Sequence, residues 1–176
     1  MDMKDRKLTA AEMRRLTPEE YRERPASGVA VVLDNVRSAY NVGSAFRSAD
    51  AFGADKVWLC GICATPPSAE IHKTALGAEL SVPWEHAEDT LEAVERLKKD
   101  GYTVIAVEQT ENSVKLDSGL EVPPGKRAFV FGNEVEGVRQ EVVDAADFSL
   151  EIPQHGTKHS LNVAVTVGIV LFATNK

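Results

Sequence analysis

The sequence predicts a mainly parallel α/β sheet with helices on both faces, preceded by a short helical extension. From residue 28 onward, short continuous apolar runs recur, and such runs are typical of strands that are buried on both faces. Segments with the apolar spacing of an amphipathic helix lie between these runs. Because strands and helices alternate along the chain, the strands are expected to pair in parallel.

The first 27 residues differ from the rest of the chain. They are highly charged and contain two capping-box patterns, each of which predicts the start of a helix: Thr9 with Glu12, and Thr17 with Glu20. Pro18 follows the second cap at the first helical position, where proline is favoured. We therefore divide the chain into a helical extension, 1–27, and one α/β domain, 28–176.

Within the α/β domain, the elements follow from the periodicity and from capping residues. Asn41 and Ser160 are expected to cap the first and the last helix, and Asp89 a third. The predicted strands are 29–33, 56–60, 80–84, 102–107, 128–131 and 148–152. The predicted helices are 41–52, 69–76, 90–99, 139–145 and 161–173.

Composition restricts the possible partners of the chain. The 176 residues are 43% hydrophobic, which is enough for one globular core. The net charge of −7 argues against a broad basic surface for duplex nucleic acid, although a compact basic patch stays possible. The charged start does not resemble a signal peptide, and the apolar run 163–173 is too short to cross a membrane. We expect a cytoplasmic protein with no membrane contact.

Two cysteines, Cys60 and Cys63, form a C-x-x-C pattern. A zinc site needs a second pair of ligands at suitable spacing, and the four histidines do not supply one. We expect a reduced, structural pair and no metal. Dinucleotide-binding and P-loop signatures are also missing from the sequence.

Three polar loops follow predicted strands and are the candidate functional segments: 34–43, 132–137 and 153–160. Ligands of parallel α/β sheets bind beyond the carboxyl ends of the strands, so the three loops should meet. The third loop ends at the start of the last helix, whose free N–H groups, with Lys158, favour an anion or a polar substrate. Each loop also has a purely structural interpretation: a tight turn, a helix cap, or, for Arg47, an amphipathic surface position.

Taken together, the loops resemble the SpoU/TrmH family of RNA ribose methyltransferases, of the SPOUT class. The resemblance covers nearly the whole chain after the extension and rests on three motifs in order. These are Asn41, Gly43 and Arg47; Gly132, Glu134 and Gly137; and Pro153, Gly156, Ser160, Leu161 and Asn162. One departure is Gln154, where methionine is common in the family.

The resemblance implies a trefoil-knotted fold, S-adenosylmethionine as the cofactor, and a homodimer with active sites at the subunit interface. The nearly all-round apolar character of the last helix agrees with burial on more than one face. The implied cofactor-binding residues are Thr110, Gly132, Asn133, Ile152, Gln154, Ser160 and Leu161.

The implied reaction is attack of a ribose 2′-hydroxyl of tRNA or rRNA on the cofactor's methyl group. Arg47 would assist the hydroxyl, as a base or as a phosphate clamp, and a permanently charged guanidinium favours the clamp. Ser160 would orient Arg47 or bind phosphate, and Asn35 would position Arg47 or the substrate. Glu134 and Asn162 would order the loops. The implied RNA contacts are Arg37, Asn41, Arg47 and Lys158, with help from Arg14, Arg15, Arg22 and Arg24 of the extension.

Two alternatives stay open at this point: methylation of a base nitrogen, and a noncatalytic RNA- or cofactor-binding protein on the same fold. The Ser-Leu-Asn segment at 160–162 favours ribose, and the presence of all the motif side chains favours an enzyme.

Overall fold

A parallel sheet forms the centre of the molecule in the computed structural model, which describes residues 5–117 and 122–175. Every strand pair within these residues is parallel, and the strand order is β3-β2-β1-β6-β4-β7-β5. The strands are β1 Val29–Asp34, β2 Lys56–Cys60, β3 Trp84–Ala87, β4 Thr103–Val107, β5 Val114–Lys115, β6 Arg127–Phe131 and β7 Phe148–Glu151.

Helices cover both faces of this sheet, as the alternation of elements predicts. They are α1 Ala10–Met13, α2 Pro18–Glu23, α3 Ala39–Ala51, α4 Ala69–Ala75, α5 Ala78–Ser81, α6 Thr90–Lys99, α7 Gln140–Ala145 and α8 Val163–Thr174. In the described part of the chain, none of these helices has the length and the apolar character needed to cross a membrane.

Strand β1 shows how one continuous apolar run serves two cores. Val31 and Leu33 belong to the core beneath α3, α4 and α8, whereas Ala30 and Val32 belong to the core beneath α6 and α7. All four are completely buried. Successive side chains of a strand point to opposite faces, so a strand at the centre of a two-faced sheet must be apolar at every position.

The edge of the sheet beyond β2 differs from the prediction. The predicted strand 80–84 is wrong, because the chain forms helix α5 over Ala78–Ser81 and enters β3 only at Trp84. Gly77 adopts a φ of +95°, which breaks α4 from α5, and the side chain of Leu80 is exposed rather than in the sheet. Strand β5, only two residues long, was missed.

The helical extension packs onto the α/β domain rather than standing apart from it. Both predicted capping boxes are present. The buried Tyr21 of α2 donates its hydroxyl to the carbonyl oxygen of Ala54 at 2.7 Å. The guanidinium of Arg24 lies over the Tyr21 ring and 3.2 Å from a carboxylate oxygen of Asp55, so Arg24 is not free to serve as the RNA contact that the sequence suggested. The extreme residues of the two predicted segments, 1–4 and 176, lie outside the described residues.

We predict that Tyr21→Ala lowers the free energy of unfolding by about 3 kcal/mol, because it removes a buried aromatic ring and leaves a cavity. Chemical denaturation of the whole chain measures the change. Met13→Ala in α1, which buries no residue, is the control and should stay within about 0.5 kcal/mol of the parent. Equal stabilities of the two variants would contradict the docking of α2.

Candidate active site

A cavity of about 470 Å³ lies at the carboxyl ends of β4, β6 and β7. The last residues of these strands, Val107, Phe131 and Leu150, contribute to its apolar wall. The loops that follow supply the polar wall, so two of the three candidate loops meet here, as expected for a parallel sheet. Of the predicted cofactor-binding residues, the cavity is lined by Gly132, Asn133, Ile152, Gln154, Ser160 and Leu161.

The turn after β6 is held closed by its own backbone and by one side chain. Asn133 and Gly137 exchange two backbone hydrogen bonds, and the amide oxygen of Asn133 accepts from the N–H groups of Val135 and Glu136, both at 2.8 Å. A Cβ atom added at Gly132 would collide with the backbone of Gly137. The turn can therefore close in this way only with glycine at position 132. A larger residue there would distort the turn and with it the cavity wall.

Glu108, directly after β4, joins this turn to its neighbour strand. One carboxylate oxygen accepts from the backbone N–H of Val138 at 3.0 Å, and the other accepts from the N–H of Gln109 at 2.8 Å. The Gln109 amide in turn donates to the carbonyl oxygen of His159 at 2.6 Å. Glu108 and Gln109 line the cavity, whereas Thr110 does not, so the cofactor contact expected at Thr110 stays a prediction.

The carboxylate of Glu134 connects the second motif to the first. It accepts from the backbone N–H groups of Arg37 at 3.1 Å and Ser38 at 3.2 Å, and from the side-chain amide of Asn41 at 2.8 Å. Three donors from the loop before α3 and from its first turn thus converge on one side chain of the turn after β6.

Asn41 also contacts the third motif, through Asn162. Its amide oxygen accepts from the side-chain amide of Asn162 at 3.1 Å. The amide oxygen of Asn162 accepts from the N–H groups of Ala164 at 2.9 Å and Val165 at 3.4 Å and so caps α8. One continuous chain of hydrogen bonds therefore links the three motifs that the sequence contains.

Two predicted helix caps are corrected by this arrangement. Ser38, not Asn41, caps α3, because its hydroxyl accepts from the N–H of Asn41. Asn162, not Ser160, caps α8, which begins at Val163. Ser160 lies exposed in the loop before the helix and lines the cavity, so its hydroxyl is free of a capping role.

The pKa of Glu134 reflects the same contacts. Partial burial opposes its ionisation, but the hydrogen bonds from Asn41, from Arg37 and from Ser38 outweigh this effect and hold the pKa of the carboxyl below its usual value. Glu134 is therefore an anion at neutral pH, and all three donors bond to a charged carboxylate.

Asn35 does not line the cavity. Its φ of +54° turns the chain at the end of β1; its amide donates to Asp34 at 2.9 Å, and its amide oxygen accepts from the N–H of Ile62 at 3.2 Å. The predicted positioning of Arg47 or substrate by Asn35 is thus not supported by any contact. Asn41 is the asparagine that the structure brings into the site.

The basic side chains named by the sequence lie on the surface near this network. Arg37 precedes α3, Arg47 lies on its exposed side, and Lys158 belongs to the loop before α8. Within the described residues, the guanidinium of Arg47 has no hydrogen-bond or ion-pair partner, and Arg47 is not part of the cavity wall.

The cysteine pair is structural. The Cys63 sulfur accepts from the N–H of Val36 at 3.2 Å, and burial raises the pKa of Cys60 to about 12 and that of Cys63 to about 11. Both thiols are buried and unpaired. Across the described ranges, 5–117 and 122–175, no three His, Cys, Asp or Glu side chains are grouped so that they could hold a metal ion.

Comparison with known proteins assigns the chain to a family. The family model described as the SpoU rRNA Methylase family matches residues 28–172. A 23S rRNA (guanosine-2′-O-)-methyltransferase RlmB of Nitrosomonas europaea is 35% identical, over 82% of this chain and 54% of the relative. A putative TrmH family tRNA/rRNA methyltransferase of Staphylococcus haemolyticus is 28% identical, over 86% of this chain and 59% of the relative. The chain thus spans little more than half the length of these relatives.

Solved structures share the fold. An AdoMet-bound rRNA methyltransferase from Sinorhizobium meliloti superposes with a TM-score of 0.77 at 30% identity, over 87% of this chain and 58% of the other. A TrmH/SpoU tRNA modifying enzyme from A. aeolicus gives 0.77 at 26% identity, over 90% of this chain and 80% of the other.

We predict that Glu134→Gln releases the loop before α3, because the neutral amide is a weaker acceptor for three donors. The hydrogen-exchange rates of the Arg37 and Ser38 amides should rise. In the parent, the pKa of Glu134 is lowered. The protection of these two amides from exchange should therefore be complete above the usual pKa of a carboxyl group, and it should be lost as the pH falls through the lower pKa of the folded state.

Glu136→Gln is the matched control, because Glu136 lines the same cavity but its carboxylate makes no hydrogen bond within the described residues. Unchanged exchange at residues 37 and 38 in Glu134→Gln would show that the carboxylate does not hold this loop.

Proposed function

The chain belongs to the SpoU rRNA methylase family, and from this premise we propose that it transfers a methyl group from S-adenosylmethionine to a ribose 2′-hydroxyl of RNA. The observation that carries the proposal is the hydrogen-bonded chain Glu134–Asn41–Asn162, which joins all three motifs at the mouth of one cavity. The presence of all three motifs in one connected set of side chains favours an enzyme over a noncatalytic protein on this fold. The AdoMet-bound relative and the guanosine-2′-O-methyltransferase relative favour this cofactor and a ribose target over a base nitrogen.

The cavity fits S-adenosylmethionine in size and in charge. Its volume lies in the range of small-molecule pockets. Glu108, Glu134, Glu136 and Glu151 all line it, and such a wall suits a ligand with a sulfonium and an ammonium group. When bound, the cofactor supplies a methyl group on a positively charged sulfur. The apolar ends of β4, β6 and β7 would bury its less polar parts.

The protein's own residues would position the hydroxyl and balance its charge. The guanidinium of Arg47 is charged at any physiological pH, so it would bind phosphate and stabilise the forming alkoxide rather than remove a proton. Ser160, which is free of a capping role, would donate to a phosphate or orient Arg47. Glu134, Asn41 and Asn162 would hold the three loops in register around the reacting atoms. Arg37 and Lys158 would contact the RNA backbone.

The relatives act on ribosomal or transfer RNA by their names, and we propose the same substrate classes here. Because such RNA is found in the cytoplasm, we place the reaction there.

The family also implies a trefoil knot in the C-terminal part of the chain. The insertion of β7 between β4 and β5 in the sheet supports this threading.

A homodimer would complete the site. Val165 and Phe172 are 51% and 72% exposed, and their seven-residue spacing places them on one side of α8; Leu161, which is 40% exposed, lies just before the helix. Helix α8 runs beside α3, as the contacts of Asn162 with Asn41 and of Phe172 with Phe52 show. A partner subunit docked on this apolar side would also approach α3. Arg47, which is exposed on α3 and does not line the cavity of the same chain, would then lie near the partner subunit.

We predict that Arg47→Ala reduces methyl transfer by about 10²–10³-fold, the usual loss on removing one preorganised donor. Arg47→Lys should rescue poorly, because an ammonium cannot reproduce the planar fork. The measurement is single-turnover transfer of labelled methyl groups to undermethylated total RNA, with cofactor affinity measured by calorimetry. Cofactor affinity should not change, because Arg47 lies outside the cavity wall. A parent protein that binds no S-adenosylmethionine would refute the proposed function, and near-parental rates for Arg47→Ala would refute the role of this residue.

We predict that the chain sediments at about twice its 19.1 kDa mass and that Val165→Glu converts it to an inactive, folded monomer, because a charge cannot be buried unpaired in an apolar interface. Leu80→Glu is the control: Leu80 is equally apolar and 62% exposed, but it lies on α5. Sedimentation velocity and circular dichroism measure assembly and folding. An active Val165→Glu monomer would contradict a site shared between subunits.

A further inference from the structure

An aromatic side chain lies exposed beside the proposed active site without a role in the core or in the hydrogen-bond network. Tyr40 is 44% exposed in the first turn of α3. No described group bonds to its hydroxyl. It directly precedes Asn41, whose side chain contacts Glu134 and Asn162. Consecutive side chains diverge by about 100° around a helix, so the Tyr40 ring lies next to the network rather than within it.

A lysine from the neighbouring helix covers part of the Tyr40 ring. The ammonium of Lys73 in α4 lies 5.7 Å from the ring centroid. Lys73 has no carboxylate partner among the residues that the structure describes, so its charge is not neutralised. A cation over an aromatic face is an arrangement that also attracts phosphate and a second stacked ring.

The position of Tyr40 relative to Lys73 is fixed by the close packing of α3 on α4. The hydroxyl of Thr74 donates to the backbone carbonyl of Tyr40 at 2.8 Å. A Cβ atom added at Gly43 would collide with the side chain of Thr74 and the carbonyl of Ile71, so the motif glycine permits this approach. Tyr40 and Lys73 are therefore held by two closely packed helices, which suits a preformed contact surface.

The charge distribution singles out this surface in an acidic protein. The chain carries a formal charge of −7, yet the unpaired Lys73 lies over the ring of Tyr40, and the exposed Arg37 precedes Tyr40 by three residues in the chain. At physiological ionic strength, charges act over roughly 8 Å, so two local cations matter more to an approaching phosphate than the net charge does. An exposed aromatic ring next to a cation is typical of single-stranded RNA recognition, in which unpaired bases stack on side chains.

We propose that Tyr40 and Lys73 form a stacking platform for an unpaired base of the RNA, from a nucleotide next to the one whose ribose is methylated. This inference rests on the proposed function and deepens it: the substrate would be a single-stranded or loop nucleotide, since a base inside a duplex cannot reach the ring. Tyr40 would hold the RNA through stacking, and Lys73 would bind a phosphate.

The test compares single-stranded RNA binding with methyl transfer in point variants of the full chain. A fluorescein-labelled single-stranded RNA of mixed sequence and its duplex serve as binding probes, and undermethylated total RNA serves as the methyl acceptor. Tyr40→Ala and Tyr40→Leu should raise the Kd for the single strand and the KM for RNA by about tenfold, since stacking on one ring is typically worth at least this factor. The kcat at saturating RNA and the affinity for S-adenosylmethionine should stay within about twofold.

Two conservative variants make the test specific. Tyr40→Phe should behave as the parent, because the ring and not the hydroxyl makes the contact. Lys73→Gln should weaken RNA binding and reduce its salt dependence, whereas Lys126→Gln should not. Lys126 is a matched control: its ammonium lies 5.3 Å from the ring of Tyr102, which directly precedes β4 and so lies at the opposite end of that strand from the cavity.

The outcomes separate this inference from the proposed function. Unchanged Kd and KM in Tyr40→Ala would overturn the platform, as would equal weakening of duplex binding or dissociation of the dimer, which would make Tyr40 a subunit contact. If the parent transfers no methyl group to RNA but Tyr40→Ala still weakens single-stranded RNA binding, the platform stands and the proposed function fails.

Discussion

The carboxylate of Glu134 is the interaction on which the arrangement of the candidate site depends. It belongs to the turn after β6, yet its three hydrogen-bond donors belong to the loop and first turn that follow β1. Two of the donors are backbone N–H groups that would otherwise need water or another acceptor. Because these bonds keep the pKa of Glu134 low, the acceptor stays charged at neutral pH, and a charged acceptor binds more strongly than a neutral one.

A second carboxylate, that of Asp34, joins elements of the fold on the opposite face of the sheet. Asp34, the fully buried last residue of β1, accepts from the hydroxyl of Thr90 and from the backbone and guanidinium N–H groups of Arg139. These bonds fasten α6 and the start of α7 to the same strand end that leads into the loop bound by Glu134. The end of β1 is thus fixed from both faces, and the loop between Asp34 and α3 has little freedom.

The sequence predicted the fold and the place of the site better than the roles of single residues. Burial patterns fix where strands and helices lie, because the hydrophobic effect acts on every residue of an element. Asn35 and Asn41 are chemically identical and only six residues apart, and only the path of the chain decides that one turns the backbone after β1 and the other contacts Glu134. The same holds for Ser160 and Asn162, either of which can cap a helix. Glu108 was missed, although a carboxylate directly after the buried strand β4 was a usable signal.

The distribution of charge is compatible with both the cationic cofactor and the anionic substrate that we propose for this acidic chain. The cavity wall carries the carboxylates Glu108, Glu134, Glu136 and Glu151, whereas the exposed Arg37, Arg47, Lys73 and Lys158 lie outside that wall. The arginines of the extension do not all add to this set, because Arg24 is paired with Asp55 and bonded to the carbonyls of Gly53 and Ala54. Since screening limits each charge to its near surroundings, an acidic cavity wall and separate basic side chains on the surface can each attract a ligand of opposite charge. The net charge therefore argues only against a broad nucleic-acid surface, and it leaves room for RNA that enters the site as a single strand.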